Sequence, residues 1–293
     1  MFKKSFMFLS LVLCLFSVSA CSNSNNQKPA EQVNADSNEQ TEEPAKEETK
    51  LEEPQTETAE EQEITLNLSF GERTGTYTGE MKDGLPNGTG KFITKNSEGI
   101  TWYHEGEFKD GHFQGEAIHT WEDGQTQKGI FENDLWNPNS FQIYEWLESR
   151  NVISYVDNAK EFLENHTDLF PADNLDKISE FVDESIKFKM IQKEATAYGN
   201  KIIKLENVIV ASISTTSIPD SSDKKYTYAI CSLNNDNGTQ NVYQIYFIGD
   251  MQDIFAEDTI STLYGIPLNT NSYQNVTGGY TNSIQLAVCY YEK

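Results

Sequence analysis

Three kinds of hydrophobic spacing follow one another along the chain. Residues 65–136 alternate short apolar and polar runs, as at 77–81, 91–94, 106–108 and 117–121, and the dipeptides Asp83-Gly84, Asn87-Gly88, Asp110-Gly111 and Asp123-Gly124 separate them. Alternation puts the apolar side chains on one face of a strand, and the second residue of each dipeptide takes positive φ at little cost, so the region predicts β-hairpins. From 140 to 194 the period lengthens. Phe141, Tyr144, Trp146 and Leu147 mark one helix face, Val156, Ala159, Phe162 and Leu163 a second, and Leu175, Ile178, Phe181, Val182 and Ile186 a third. Pro138 opens this stretch, Phe170-Pro171 interrupts it, and Asp173 is placed to cap the third helix. After Tyr198-Gly199 strands return, at 202–214, 226–233, 241–248, 258–264 and 283–291, with a short helix at 251–255 and a hairpin loop at 234–238.

The hairpin region repeats itself. Tyr77-x-Gly79-Glu80-Met81-Lys82-Asp83-Gly84, followed by Gly88 and Gly90, returns as His104-x-Gly106-Glu107-Phe108-Lys109-Asp110-Gly111, followed by Gly115 and Ala117. A weaker third copy starts at Gln127 and Gly129, with Phe131 in the place of Met81 and Phe108, and Asp134 in the place of the second glycine. One offset shared by several glycines marks a repeat, and repeats of this length argue for a stacked binding scaffold. The segment resembles membrane occupation and recognition nexus (MORN) repeats. That resemblance implies an elongated twisted sheet with one hairpin per copy, used for protein contacts and in some members for lipid association. Its departures are His104 and Gln127 for Tyr77, Ala117 for Gly90, and extra residues at 96–99. So few copies need a cap, and the helix after Pro138 is expected to supply it.

The C-terminal order, three strands, a helix and two strands, fits a five-stranded barrel with the helix plugging one end. Tyr198-Gly199-Asn200-Lys201-Ile202-Ile203 with Val208-Ile209-Val210, then Tyr243-Gln244-Ile245-Tyr246-Phe247, Gly249-Asp250, Leu263-Tyr264-Gly265 and the strand at 284–291 resemble the OB-like domains of Gram-positive lipoproteins. The lead-in Phe162-Leu163, His166 and Leu169-Phe170-Pro171 also resembles what precedes such domains. The fold expected is therefore mainly β with a helical connector: repeats at 64–138, helices at 139–196 and an OB-like barrel at 197–293.

The N-terminus changes the setting. Lys3 and Lys4 precede an apolar run at 6–18 that Val18-Ser19-Ala20-Cys21 closes, and this resembles a bacterial lipoprotein signal at 1–20. The resemblance implies a lipid, palmitate included, on Cys21 and a tether on the extracytoplasmic face of the cell membrane. The run itself is too short to span a bilayer. Residues 22–63 carry thirteen Asp or Glu against Lys28, Lys46 and Lys50, with almost no aromatic or branched apolar residue. Such a stretch buries too little to offset chain entropy and reads as a disordered acidic linker.

The formal net charge is −24, spread over every segment, which disfavours nucleic acid as a partner. No nucleophile elbow, catalytic triad motif or phosphate loop is present, so no enzyme and no cofactor is expected. His104, His112 and His119 stand near Glu105, Glu107 and Glu116, but strand alternation scatters them over both faces and no metal site is expected. The loop at 234–238 lacks the spaced acids of a calcium loop. Cys231 and Cys289 are either a disulfide or two buried thiols. Trp102 and Trp121 form an aromatic sheet face that is either core or an exposed contact patch, and Tyr243 and Tyr246 are candidate stacking residues on the barrel. The function expected is a membrane-tethered scaffold that binds envelope proteins. The alternative is a barrel that binds cell-wall glycan or peptide, and engagement of lipid by the repeats is the weakest reading.

Overall fold

The computed structural model describes residues 56–235, 239–252, 262–274 and 278–292. The signal, Cys21 and residues 22–55 lie outside these, as do 236–238 in the hairpin loop and 253–261, which hold most of the short helix and the start of the fourth strand expected at 251–264.

The first sheet is a seven-stranded antiparallel meander in which each strand pairs with the next. Its strands are β1 (Thr56–Leu68), β2 (Gly71–Lys82), β3 (Leu85–Lys95), β4 (Thr101–Lys109), β5 (His112–Trp121), β6 (Thr126–Glu132) and β7 (Leu135–Trp136). β1 starts inside the segment expected to be linker. Its acids Glu57, Glu60, Glu61 and Glu63 are exposed, while Ala59, Leu66 and Leu68 are buried, so composition hid an alternating strand. The charges and a bulge between Ala59 and Gln62 suit β1 to a sheet edge, which they protect from further pairing.

The repeat glycines have a common purpose. Gly79, Gly90, Gly106, Ala117 and Gly129 pair in register and form one row across β2 to β6. The adjacent row is Tyr77, Phe92, His104, His119 and Gln127, all buried. Small residues in the first row let the large side chains of the second lie down on the sheet. The two-residue turns inside the hairpins use positive φ at both central residues, Asp83 (52°) with Gly84 (77°) and Asp110 (52°) with Gly111 (83°).

Asp134 takes the third such turn at φ 71° and does more than turn the chain. Its buried carboxylate accepts from the backbone N–H of Ser69 at 2.7 Å and of Phe113 at 2.8 Å, and pairs with His112 Nδ1 at 2.9 Å. The loop after β1 is thereby tied to the last hairpin, and the sheet is curled over its own inner face. Asp134→Gly suits the backbone but strands both donors, so it is expected to lower stability by about 1–3 kcal/mol. Urea unfolding would measure this, and an unchanged or higher midpoint would refute the tie.

The connector contains α1 (Ser140–Ser149), α2 (Asp157–Asn165) and α3 (Phe188–Lys193). Asn139 and Gln142 form a capping box at the start of α1, and the Gln142 amide covers Gly129, where a Cβ would lie 2.5 Å from Nε2. The helix expected over 175–186 is instead two short 3-10 turns, Leu175–Lys177 and Ser179–Phe181, capped by Asn174 and not Asp173. Val182 leaves them extended to bridge Ile202, a tertiary pairing that helical spacing cannot reveal.

The second sheet has six strands in the order β8-β12-β13-β11-β10-β9. They are β8 (Ile203–Glu206), β9 (Ile209–Ser217), β10 (Lys225–Asn234), β11 (Gln240–Ile248), β12 (Thr262–Gln274) and β13 (Tyr280–Glu292). β11 and β13 run parallel and every other pair is antiparallel. The single strand expected over 202–214 is broken at Asn207, φ 54°, into β8 and β9, which form opposite edges of the sheet. Among the described residues the hydrogen-bonded order is an open six-stranded sheet, not a closed five-stranded barrel. Its strands still converge on one cluster that includes Leu205, Cys231, Tyr243, Ile245, Leu263 and Leu286. The opposite face, with Tyr246, Ile266, Ala287 and Cys289, packs under the helices. Burial on both faces explains the unbroken apolar run at the centre of β13.

Connector and second sheet form one unit, since Val156 N–H donates to Leu268 O at 2.9 Å, Ala172 N–H to Cys289 O at 2.8 Å, and Gln285 bonds Ser154 and Val152. The first sheet joins it through Trp136, whose N–H donates to Asp220 O at 2.8 Å and whose carbonyl accepts from Ser222 N–H at 3.1 Å. Gln127 adds a bond from its amide to Pro219 O at 2.8 Å.

Candidate functional site

The inner face of the repeat sheet is not a groove. Phe70, carried over it by the end of β1, lies 6.4 Å from Trp102 and 6.3 Å from Phe113, ring centre to ring centre. His104 stacks on Phe113 at 3.8 Å, and Trp102, His119 and Trp121 stack in sequence at 4.5 and 4.4 Å. Trp102 is therefore core and presents no contact surface; Trp121 is half-buried at the end of the stack. Between the two readings of this aromatic face, packing is the one realised.

His104 and His119 sit in this face as neutral bases. Burial holds both imidazoles below their ordinary range, His119 down to about 3, and His104 is lowered further by its neighbour His119. Neither His104 nitrogen has a hydrogen-bond partner, nor does His119 Nε2. His112 lies apart on the Asp134 turn. Among the described residues no three His, Cys, Asp or Glu side chains are grouped for a metal ion.

The outward face is the accessible one. Thr76, Ile93, Tyr103, Thr120 and Thr126 form one row across it, and Thr78, Lys91, Glu105, Ile118 and Lys128 the next. Ile93 and Ile118 are 39% and 40% exposed. Lys91 lies 4.1 Å over the Tyr103 ring and 2.9 Å from Glu105 Oε2, which fixes a charged spot among the apolar ones. The tryptophans, conspicuous in the sequence, do not mark this surface. Alternation could have found it, because every residue one step from the buried row must face outward.

Tyr243 and Tyr246 also prove structural. Both are buried, Tyr246 donates its hydroxyl to Val152 O at 3.1 Å, and burial raises both phenols well above their usual range. They offer no ligand a face. Cys231 and Cys289 are free thiols in different core clusters, and burial pushes Cys231 up to about 12, which leaves it inert as a nucleophile.

The second unit does have an open cleft, of about 500 Å³, where β11 and β13 end beside the turn at 171–173. Phe247, Tyr290 and Tyr291 supply its aromatic surface, and Asp173 and Glu292 its carboxylates. Phe247 and Tyr291 meet at 6.1 Å, edge to face. Smaller hollows lie between β6 and α1 and beside α2. No described helix is long and apolar enough to cross a membrane.

No curated protein and no solved structure matches the chain. The MORN repeat family model matches residues 77–97 and 104–126, the two copies whose glycines and Tyr77 or His104 line up across the sheet. This chain carries MORN repeats, built into a mainly β fold.

Proposed function

We propose that the protein is a non-catalytic interaction module, held by lipid on Cys21 at the extracytoplasmic face of a membrane, whose repeat sheet offers its outward face to another envelope protein. The observation that carries this reading is the filled inner face. With Phe70 and the Trp102 stack occupying one side, contacts must use the side bearing Ile93, Tyr103 and Ile118. Mixed apolar and charged positions on a rigid sheet suit a protein partner. Direct lipid engagement fits less well with a net charge of −24.

We read the second unit as OB-like. Support comes from the bent segment that supplies both β8 and β9, from the parallel β11–β13 pair, and from the single cluster that all the strands surround.

A photoreactive amino acid placed at Ile118 in living cells is expected to give a discrete adduct with one envelope protein, and the same group at buried Trp102 none. If Ile118 and Tyr103 both fail to trap a protein above background, the reading is wrong.

A further inference from the structure

We propose that the cleft between the turn at 171–173 and the ends of β11 and β13 binds a lysine-bearing peptide segment. It rests on the interaction reading but uses a different sheet, so either can fail alone.

The cleft is built by the fold. Ala172 N–H donates to Cys289 O at 2.8 Å, which seats the 171–173 turn against β13 beside Tyr290, Tyr291 and Glu292, all of which line the cleft. Phe247, at the end of β11, backs Tyr291. Tyr290 lies 6.0 Å from Tyr264, whose hydroxyl donates to Glu292 Oε2 at 3.2 Å, so the Glu292 carboxylate is positioned while keeping lone pairs to spare. Asp173, which also lines the cleft, has a side chain 79% exposed and pairs with Lys177 at 2.7 Å. An exposed pair of that kind is weak, and an incoming cation can replace Lys177.

The chemistry of the lining selects the ligand. Among the described residues its ionisable side chains other than tyrosine and the buried Cys289 are Asp173 and Glu292, and none of the described lining residues is Lys, Arg, His, Asn or Gln. Ionised carboxylates only accept hydrogen bonds, so the matching group is one that only donates. An ammonium does so, and the rings of Tyr290 and Tyr291, backed by Phe247, add cation–π attraction. A neutral sugar could take the Tyr290 and Tyr291 hydroxyls as donors, but it brings no positive charge to meet Asp173 and Glu292. The surrounding field favours the same choice, since a net charge of −24 concentrates cations near the surface. A volume of about 500 Å³ takes a lysine side chain with its neighbours on a chain, more than a lone amine requires.

The test is a titration of the full chain with a short uncharged-backbone peptide of alternating glycine and lysine, read by calorimetry. Glutamate in place of lysine and a chitin tetrasaccharide serve as control probes. Glu292→Gln keeps an acceptor for Tyr264 but removes the charge, and Tyr291→Leu keeps bulk but removes the ring. Each is expected to weaken binding about three- to fivefold. Glu132→Gln, an equal loss of charge on the repeat sheet, is expected to leave binding unchanged. Equal weakening by Glu292→Gln and Glu132→Gln would show unspecific charge attraction and overturn the site. So would binding of the tetrasaccharide that survives Glu292→Gln, or no uptake of the lysine peptide at millimolar concentration. Thermal unfolding of each variant reports its fold, and Glu292→Gln decides the matter if Tyr291→Leu is misfolded.

Discussion

Acidification from pH 7 to pH 4.5 is expected to lower folding stability, with His119 of the repeat sheet alone removing about 2–3 kcal/mol and His104 acting in the same direction. His104 and His119 are the source. In the unfolded chain both imidazoles take up protons below about pH 6.5. In the fold burial keeps both neutral, His119 down to about 3 and His104 well below its ordinary value. Between those limits the unfolded state binds more protons than the native one, so stability rises with pH and is lost as pH falls through 6.5. His119 contributes about 1.4 kcal/mol per pH unit in that window, and His104 adds to it in the same sense. Even the His119 part is a sizeable share of the stability of an ordinary domain. Asp220 acts in the opposite sense, because burial raises its carboxyl and its protonation favours the fold at low pH, but it is one group against two. Phe92 occupies in the first copy the place of His119 in the second, which makes His119→Phe a substitution the sheet already tolerates. Urea unfolding at several pH values should show a steep acid limb in the natural chain and a flatter one in His104→Phe/His119→Phe. Equal slopes would show that the histidines are not what fails.

The same residues mark how far sequence reading reached. Turn dipeptides at Asp83-Gly84 and Asp110-Gly111, and the alternation between them, are local signals, and the structure places hairpins there. Which face of the sheet is covered depends on residues distant in sequence. Phe70 reaches Trp102 and Phe113 because Asp134 holds the loop after β1, and no spacing rule connects those positions. β1 was hidden for a related reason: its acids signal disorder, and only pairing with β2 makes it a strand. In the second unit the apolar pattern located strands, but the break at Asn207 that sends β8 and β9 to opposite edges is one residue with positive φ. Tyr243 and Tyr246 stand out as aromatics on a strand, and strand spacing carries no sign of the helices that cover one face or of the cluster that buries the other. The cleft at Tyr290, Tyr291 and Glu292 had no sequence signal beyond its aromatic content, because Asp173 comes to it from a distant turn.

The two departures of the second copy from the repeat pattern are expected to be energetically coupled. In the first copy Tyr77 is fully buried, its hydroxyl donates to Glu80 O at 2.8 Å, and it rests on Gly90, where a Cβ would fall 2.2 Å from the hydroxyl oxygen. Gly90→Ala should therefore cost about 1–3 kcal/mol by overpacking, and more if the tyrosine must give up its bond. Gly90 has no positive φ to explain such a loss, so the effect is contact alone. In the second copy Ala117 stands at the glycine position and the shorter His104 at the tyrosine position. The methyl group fits because the ring is smaller, at the cost of two ring nitrogens without partners. Importing both changes, Tyr77→His with Gly90→Ala, should then cost less than the two single losses added, by about 1 kcal/mol or more. The reverse exchange should do the opposite of harm. His104→Tyr alone meets Ala117, but His104→Tyr with Ala117→Gly lets a tyrosine hydroxyl reach Glu107 O as Tyr77 reaches Glu80 O. That double variant should exceed the natural chain in stability and lose part of the acid limb with the imidazole. Unfolding free energies for both cycles measure the coupling, and additive losses in each would mean that the tyrosine and the glycine row do not depend on one another.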